Sequence, residues 1–301
     1  MSSNQAIQKS RRGAAQGLSA RRKIYNVGMR TLIYIAAAIV VALLVFLLGY
    51  ILYRGLPNLT WEFLTSEESV VKDVQGIGPA ILNTLYVIIA TLVVVLPLGV
   101  GSAIYLTEYA TNRKLVAAIE FATETLAGIP SIIYALVGVL VFAESLALGK
   151  TLIAGAFTLV IMTLPTVIRT TQESLKTVPV SYREGSLGLG SGKWHMIRTV
   201  VLPSSIDGIV TGCILAIGRI VGESAVLLYT VGMSMSMQNF FRNGLESFFS
   251  ASGSTLSVAL YVYAKVRADF DLAFSVAVVL IVITLVINLA ANLVGKKLKK
   301  K

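Results

Sequence analysis

The sequence predicts an all-α integral membrane protein with six transmembrane helices, and three observations predict it. The chain of 301 residues is 55% hydrophobic and only 14% charged, with a mean hydropathy of +0.79, too little charge to cover a soluble domain of this length. Six stretches carry the roughly twenty apolar residues needed to cross about 30 Å of hydrocarbon: 31–53, 81–106, 115–143, 151–172, 206–232 and 272–294. Each must be helical, because lipid offers no partner to an unpaired backbone amide. Finally, the basic residues are distributed with a bias. With both ends on one side, nineteen Lys and Arg fall in the inner segments and six in the outer ones, so the inner side is cytoplasmic. The formal net charge of +11 sits largely at the two ends of the chain, which points to orientation in a lipid membrane and not to nucleic acid.

In chain order, residues 1–30 hold Lys9, Arg11, Arg12, Arg21, Arg22, Lys23 and Arg30 and no acid, and read as a basic cytoplasmic arm that fixes orientation and meets anionic lipid. The run 31–53 is too long for a signal-peptide core and has no small-residue cleavage site after it, so it reads as a retained anchor. The first outer segment is acidic, with Glu62, Glu67, Glu68 and Asp73. Pro97, Pro130 and Pro165 fall inside spans two, three and four, where each removes a backbone donor and kinks or interrupts a helix. In a moving bundle such breaks line a pathway or act as hinges, although Pro and Gly are also common in membrane helices generally. Glu120 and Glu124 share one face of the third span without a basic partner nearby in sequence.

Between spans four and five lies a polar, glycine-punctuated island, residues 181–203. Its first part can form a short helix weakened by Gly185 and Gly188; Gly190 and Gly192 break it, and a second helix starts at Lys193 with Trp194, Ile197 and Val201 on one face. Leu202-Pro203 is expected to end that helix. Two short helices at an angle on the cytoplasmic side make a knob suited to docking in a partner's cleft.

Ser204-Ser-Ile-Asp207 is expected to cap the fifth span, with Asp207 at the positive end of its dipole. That span carries two small-residue pairs, Gly208 with Gly212 and Gly218 with Gly222, which let another helix approach closely. Arg219 and Glu223 are the stronger signal. A charge at mid-membrane costs about 2.5–3.5 kcal/mol on insertion scales. Their i, i+4 spacing allows them to pair, either as a packing device or as a polar patch on a translocation path where Arg219 meets an oxyanion. The outer segment 233–271 holds Phe240-Phe241, Phe248-Phe249 and an apolar run 255–264 too short to cross, read as interfacial or re-entrant with Tyr261 and Tyr263 near the headgroups. Residues 272–294 form the sixth span, and 295–301 a basic cytoplasmic tail. Cys213, the only cysteine, lies in an apolar run and excludes an intramolecular disulfide.

Glu184-Gly-Ser186, Gly190 six residues after the glutamate, and then Val200-Val-Leu202-Pro203 resemble the coupling loop of permease subunits of ATP-binding-cassette importers. Gly185 and Ser186 stand where that family has alanines, and Val200 where it has isoleucine. Asn83-Thr-Leu85, Gly128-Ile-Pro-Ser-Ile-Ile-Tyr134, Val167-Ile-Arg-Thr-Thr171, Val178-Pro179 and Gly218-Arg-Ile-Val-Gly-Glu-Ser-Ala-Val-Leu-Leu-Tyr229 narrow the resemblance to the PstA family of phosphate permeases, over residues 55 to 294. Ser224 and Val226 depart from that family's Thr and Pro.

The resemblance implies a type I ABC importer permease (MetI-like) fold whose domain spans 31–294, with a cytoplasmic coupling helix. It implies as partners a homologous permease, PstC, a dimer of the ATPase PstB, and an extracytoplasmic phosphate-binding protein, in the cytoplasmic membrane of a prokaryote with both termini inside. Arg183, Glu184, Gly185, Ser186, Gly190, Leu202 and Pro203 would couple to the ATPase, and Arg219, Glu223, Arg169 and Glu173 would lie on the substrate path. No catalytic residue, metal or cofactor is expected in this chain, ATP and Mg belonging to the partner ATPase. Gly188-Leu-Gly-Ser-Gly-Lys193 is not a phosphate loop, since Leu187 occupies its first glycine position and Trp194 replaces the required Ser or Thr. Asn58-Leu-Thr60 matches a glycosylation sequon by chance, and His195 reads as a polar knob residue. The alternatives are an importer of another oxyanion or small solute, an ATP-independent channel or carrier, and a membrane scaffold, the last leaving Arg219 and Glu223 unexplained.

Overall fold

A computed structural model describes residues 20–68, 75–234 and 252–299. Lys9, Arg11, Arg12, Lys72, Asp73, the Phe240-Phe241 and Phe248-Phe249 pairs and Lys300-Lys301 lie outside them. Every regular element among the described residues is helical. The chain divides into two units after Tyr53. The first is built on α1 (Ala20–Gly55), an uninterrupted helix that begins eleven residues earlier than the expected span and so includes the basic residues 21–23 and Arg30.

The second unit opens with a short α2 (Trp61–Thr65) and is organised around α6 (Leu152–Thr177). Thr151 starts this helix by accepting a hydrogen bond from the Ala154 amide at 3.4 Å. Against it pack α3 (Gly78–Ile104) and α9 (Leu202–Gly222), and α9 packs in turn on α12 (Phe270–Lys299). The core joins Leu159 and Met162 of α6 to Val87 and Ile88 of α3, Ile217 and Ile220 of α9, and Val276 of α12. Pro97 and Pro165 stay inside their helices, whereas Pro130 breaks the third expected span. That span is two pieces, α4 (Arg113–Ala127) and α5 (Ser131–Gly138, continued by a wide turn to Ser145), bent by 98°. Pro130 lacks an amide hydrogen and pushes Ile129 out of helical conformation, and Gly128 precedes that pair. The Tyr134 hydroxyl donates to the Leu126 carbonyl at 2.7 Å and holds the bend.

The fifth span differs at both ends from its expected limits. Instead of stopping at Pro203, the helix runs without interruption over Lys193–Gly222. It comprises α8 (Lys193–Met196), a π-helical turn (Ile197–Val201) and α9. The wide turn just before Pro203 absorbs its missing donor and its ring. The serines therefore do not cap: Ser204 Oγ donates back to the Val200 carbonyl and Ser205 Oγ to that of Leu202. At the other end the helix stops at Gly222, and a short α10 (Ala225–Thr230) follows. The two glycine pairs have different surroundings: a Cβ at Gly208 or Gly212 would strike Ser174 or Thr170 of α6, while Gly218 and Gly222 face open space.

At the end of the bundle away from the knob, α11 (Leu256–Tyr261) and the turn after it, to Val266, form the short apolar helix expected there. Asn83 Nδ2 donates to the Ser254 carbonyl and the Leu256 amide to Thr84 Oγ1, so polar groups of α3 fix its start. Tyr263 is fully buried, not placed with Tyr261 at the surface. Burial pushes its phenol up to about 12, with the Glu68 carboxylate adding to the effect and Arg267, 5.1 Å over the ring, opposing it.

Candidate functional site: the knob and the polar face of helix α6

The island folds as α7 (Val180–Gly188), a turn at Gly190, and α8. Gly190 has φ +82°, a left-handed conformation that favours glycine. Ser191 Oγ donates to the Ser186 carbonyl, and the two hydroxyls lie 2.7 Å apart, closing the turn. Beneath the knob a small core of Met196, Ile197 and Val201 meets Leu175 and Val178 from α6 and Ala103 and Ile104 from α3. The knob is thus seated on the ends of two long helices.

Its expected residues divide into two groups. Glu184 and Gly185 are exposed, as are Tyr182, Leu187, Trp194 and Leu189, the last 91% exposed; they form an uncovered tip. Ser186 closes the turn, and Leu202 packs against the small core. Arg183 points inward. Its Nε and Nη2 donate to Glu108 Oε1 at 3.1 and 2.9 Å, Nη1 to the Val178 carbonyl at 2.6 Å, and Nη2 to that of Leu175 at 2.8 Å. Glu108 belongs to the π-helical turn Tyr105–Tyr109 that ends α3, and sequence reasoning missed it. The only signal was an acid in a basic end of the chain's topology.

The expected Arg219–Glu223 pair does not form. Glu223 lies past the last helical residue with φ −80° and ψ 111°, so its side chain leaves the face that i, i+4 spacing assumes. Its carboxylate accepts the Val226 amide at 3.2 Å, starting α10, and its carbonyl accepts Ser257 Oγ at 2.9 Å. Arg219 instead reaches Thr166 Oγ1 of α6, at 3.5 Å.

Arg169 and Glu173 do meet, Nε to Oε1 at 3.1 Å. They are joined by the two glutamates that lacked partners in sequence: Arg169 pairs with Glu124 at 3.4 Å, and Lys176 with Glu120 at 3.3 Å. Gln172 also donates to Glu120. These side chains of α4 and α6, with Thr123, line a cavity of about 190 Å³. Arg169 and its partners are more than half exposed, so water screens these ion pairs and they add little to stability. A second groove between α6 and α9, about 520 Å³, is lined with hydroxyls of Thr170, Ser174, Thr177, Ser204 and Thr211, beside Glu173 and Asp207. A row of polar groups thus descends α6 from Thr166 to Lys176. Among the described residues no cluster of His, Cys, Asp and Glu could hold a metal ion.

A helical membrane bundle that carries a clamped polar hairpin at one end, with polar groups leading toward it, has the build of a membrane transport subunit. Residues 95–301 match the family model for the inner membrane component of binding-protein-dependent transport systems, and the chain belongs to that family. Among its relatives, the probable ABC transporter permease protein YqgI of Bacillus subtilis (strain 168) is 38% identical over 206 residues, 68% of this chain and 70% of the relative. The phosphate transport system permease protein PstA 1 of Mycobacterium tuberculosis (strain CDC 1551 / Oshkosh) is 33% identical over 258 residues, 83% of this chain and 80% of the relative. In fold the chain is similar to a bacterial alginate ABC transporter crystallised with its alginate pentasaccharide-bound periplasmic protein (TM-score 0.65, 15% identity, 92% of this chain and 98% of that one). It is also similar to the MetNI methionine ABC transporter in an inward-facing conformation (TM-score 0.57, 19% identity, 74% and 94%). The type I importer permease fold implied by the sequence motifs is thereby borne out.

Proposed function

We propose that this chain is a PstA-type permease subunit of an ATP-driven importer that carries inorganic phosphate across the cytoplasmic membrane, with both termini and the knob in the cytoplasm. The observation that carries this reading is the knob itself, a hairpin clamped to the ends of α3 and α6 with Glu184 and an apolar tip left uncovered, in a chain whose relatives include phosphate permeases over four fifths of its length. A second permease of the PstC type completes the path, two PstB-type ATPases receive the knobs, and a binding protein delivers phosphate outside. Nucleotide and Mg belong to the ATPases. Nucleotide-driven closure of the ATPases moves the knob, and the bundle opens outward; hydrolysis returns it, and phosphate leaves inward.

Arg219 is the best candidate to meet phosphate in transit. Its guanidinium offers five N–H donors, and among the described residues its one side-chain hydrogen bond is the 3.5 Å contact to Thr166. Arg169 is instead held between two carboxylates, which leaves it a weaker donor to a passing anion. The test is the assembled complex in liposomes: labelled phosphate should enter only with ATP and the binding protein. Uptake of a different oxyanion in its place would return the alternative that the YqgI relative, whose name specifies no substrate, leaves open.

A further inference from the structure

We propose that Glu108 is a positioning residue of the coupling step, which locks the knob to α3 through Arg183 so that force on the knob moves the spans. This rests on the reading of the knob as the ATPase-docking element. The mechanical problem lies at the joint between α6 and α7. Only Val178 and Pro179 connect them, both in extended backbone, with ψ 124° and 139°. Such a joint can pivot, and a pivoting knob would absorb a push instead of passing it on.

The Arg183 guanidinium bridges that joint. It leaves α7, donates to the Leu175 carbonyl in the last turn of α6 and to the carbonyl of Val178 just past it, and reaches the Glu108 carboxylate on the last turn of α3. From the other knob helix, Lys193 Nζ lies 5.0 Å over the ring of Tyr109, next in sequence to Glu108. Two cations from the two knob helices therefore hold the same turn of α3.

Stability alone does not account for the pair. The Glu108 side chain is 7% exposed and that of Arg183 17%, and a buried ion pair of this kind is seldom more stabilising than well-packed apolar residues. What it adds over an apolar contact is a fixed angle, because a planar fork of donors on one carboxylate oxygen and two carbonyls permits only one orientation. A greasy contact would let the knob slide across the core of Ile197 and Val201; the fork does not.

The experiment uses the complete complex in liposomes, with ATP hydrolysis and phosphate uptake measured in the same vesicles. Glu108→Gln keeps the shape and removes the charge; Glu108→Asp restores the charge on a shorter arm. The Gln variant should assemble and keep basal hydrolysis, while uptake per ATP falls at least about fivefold, the low end of a typical coupling energy. The Asp variant should recover part of that loss. Wild-type uptake per ATP in the Gln variant would overturn the proposal. So would a proportional fall in hydrolysis and uptake, an Asp variant no better than Gln, or failure of both variants to assemble, since each makes the contact a structural one. Should the wild-type complex carry no phosphate, the transport reading fails separately. Glu108 is then judged by binding-protein stimulation of hydrolysis, which the Gln variant must lose by a similar factor.

Discussion

Gly208 offers a quantitative test of how α6 and α9 meet. A Cβ added there would overlap both Oγ and Cβ of Ser174, and the Cβ of a serine cannot rotate away. Optimal carbon–carbon separation is about 3.5–4.0 Å, so Gly208→Ala must part the helices by roughly 1 Å. That displacement also stretches the 2.8 Å hydrogen bond from Ser174 Oγ to the Ser205 carbonyl. Overpacking of this kind costs about 1–3 kcal/mol, offset by up to about 1 kcal/mol of helix propensity gained on replacing glycine. With the full propensity gain subtracted, a net loss of up to about 2 kcal/mol follows. Gly218→Ala is the matched control: the same helix and the same substitution, with nothing within 4 Å of the new methyl, so it should be neutral or slightly stabilising. Denaturant titration of the purified subunit in detergent measures both. Adding Ser174→Gly to Gly208→Ala removes the opposing Cβ, so the double variant should be more stable than the two single effects summed. Equal losses at Gly208 and Gly218, or strict additivity in the double, would refute the close approach.

Three further outcomes can be checked directly. Glu184→Lys, on the uncovered tip of the knob, should leave membrane insertion intact and abolish phosphate uptake; normal uptake in the purified complex would remove this residue from the docking surface. Arg219→Gln should lower phosphate uptake at least about tenfold with assembly unchanged, as the loss of one charge-assisted contact worth about 1.5–3 kcal/mol implies; unchanged uptake would make Arg219 a packing residue of the Thr166 contact. Glu124→Gln breaks an ion pair whose partners are about 60% exposed, so the denaturation midpoint of the subunit should hardly move, and high salt should erase any difference.

Much of this fold was legible because a membrane span is a composition as much as a pattern. The second, fourth and sixth spans announce themselves by length and apolarity, and the positions of α3, α6 and α12 agree with them. Composition says nothing about direction, which is why residues 115–143 read as one crossing. Apolar character runs straight through Gly128-Ile-Pro130, yet the backbone turns by 98° there. Pro203 misled in the opposite sense: as a helix breaker it implied a gap, but the π-helical turn at Ile197–Val201 carries the helix past it.

The site shows the same division. Glu184, Gly190 and the knob were readable from spacing because the motif is local. Arg219 and Glu223 stand out in the sequence as charges in an apolar stretch, but the pairing that their spacing allowed assumed a helix that in fact ends at Gly222. The partners of Glu120 and Glu124 lie some fifty residues away on α6, and Glu108 lies 75 residues from Arg183. Contacts of that separation exist only after the helices pack, and no periodicity in one chain encodes them.

The central claim is that this chain moves phosphate only as part of an ATP-driven assembly coupled through its knob. The most direct measurement is labelled-phosphate uptake into liposomes holding this chain, its second permease and the ATPase, with binding protein outside and ATP inside. Uptake that requires all four components and stops with Glu184→Lys is the predicted result. Uptake by this chain alone without ATP would contradict it.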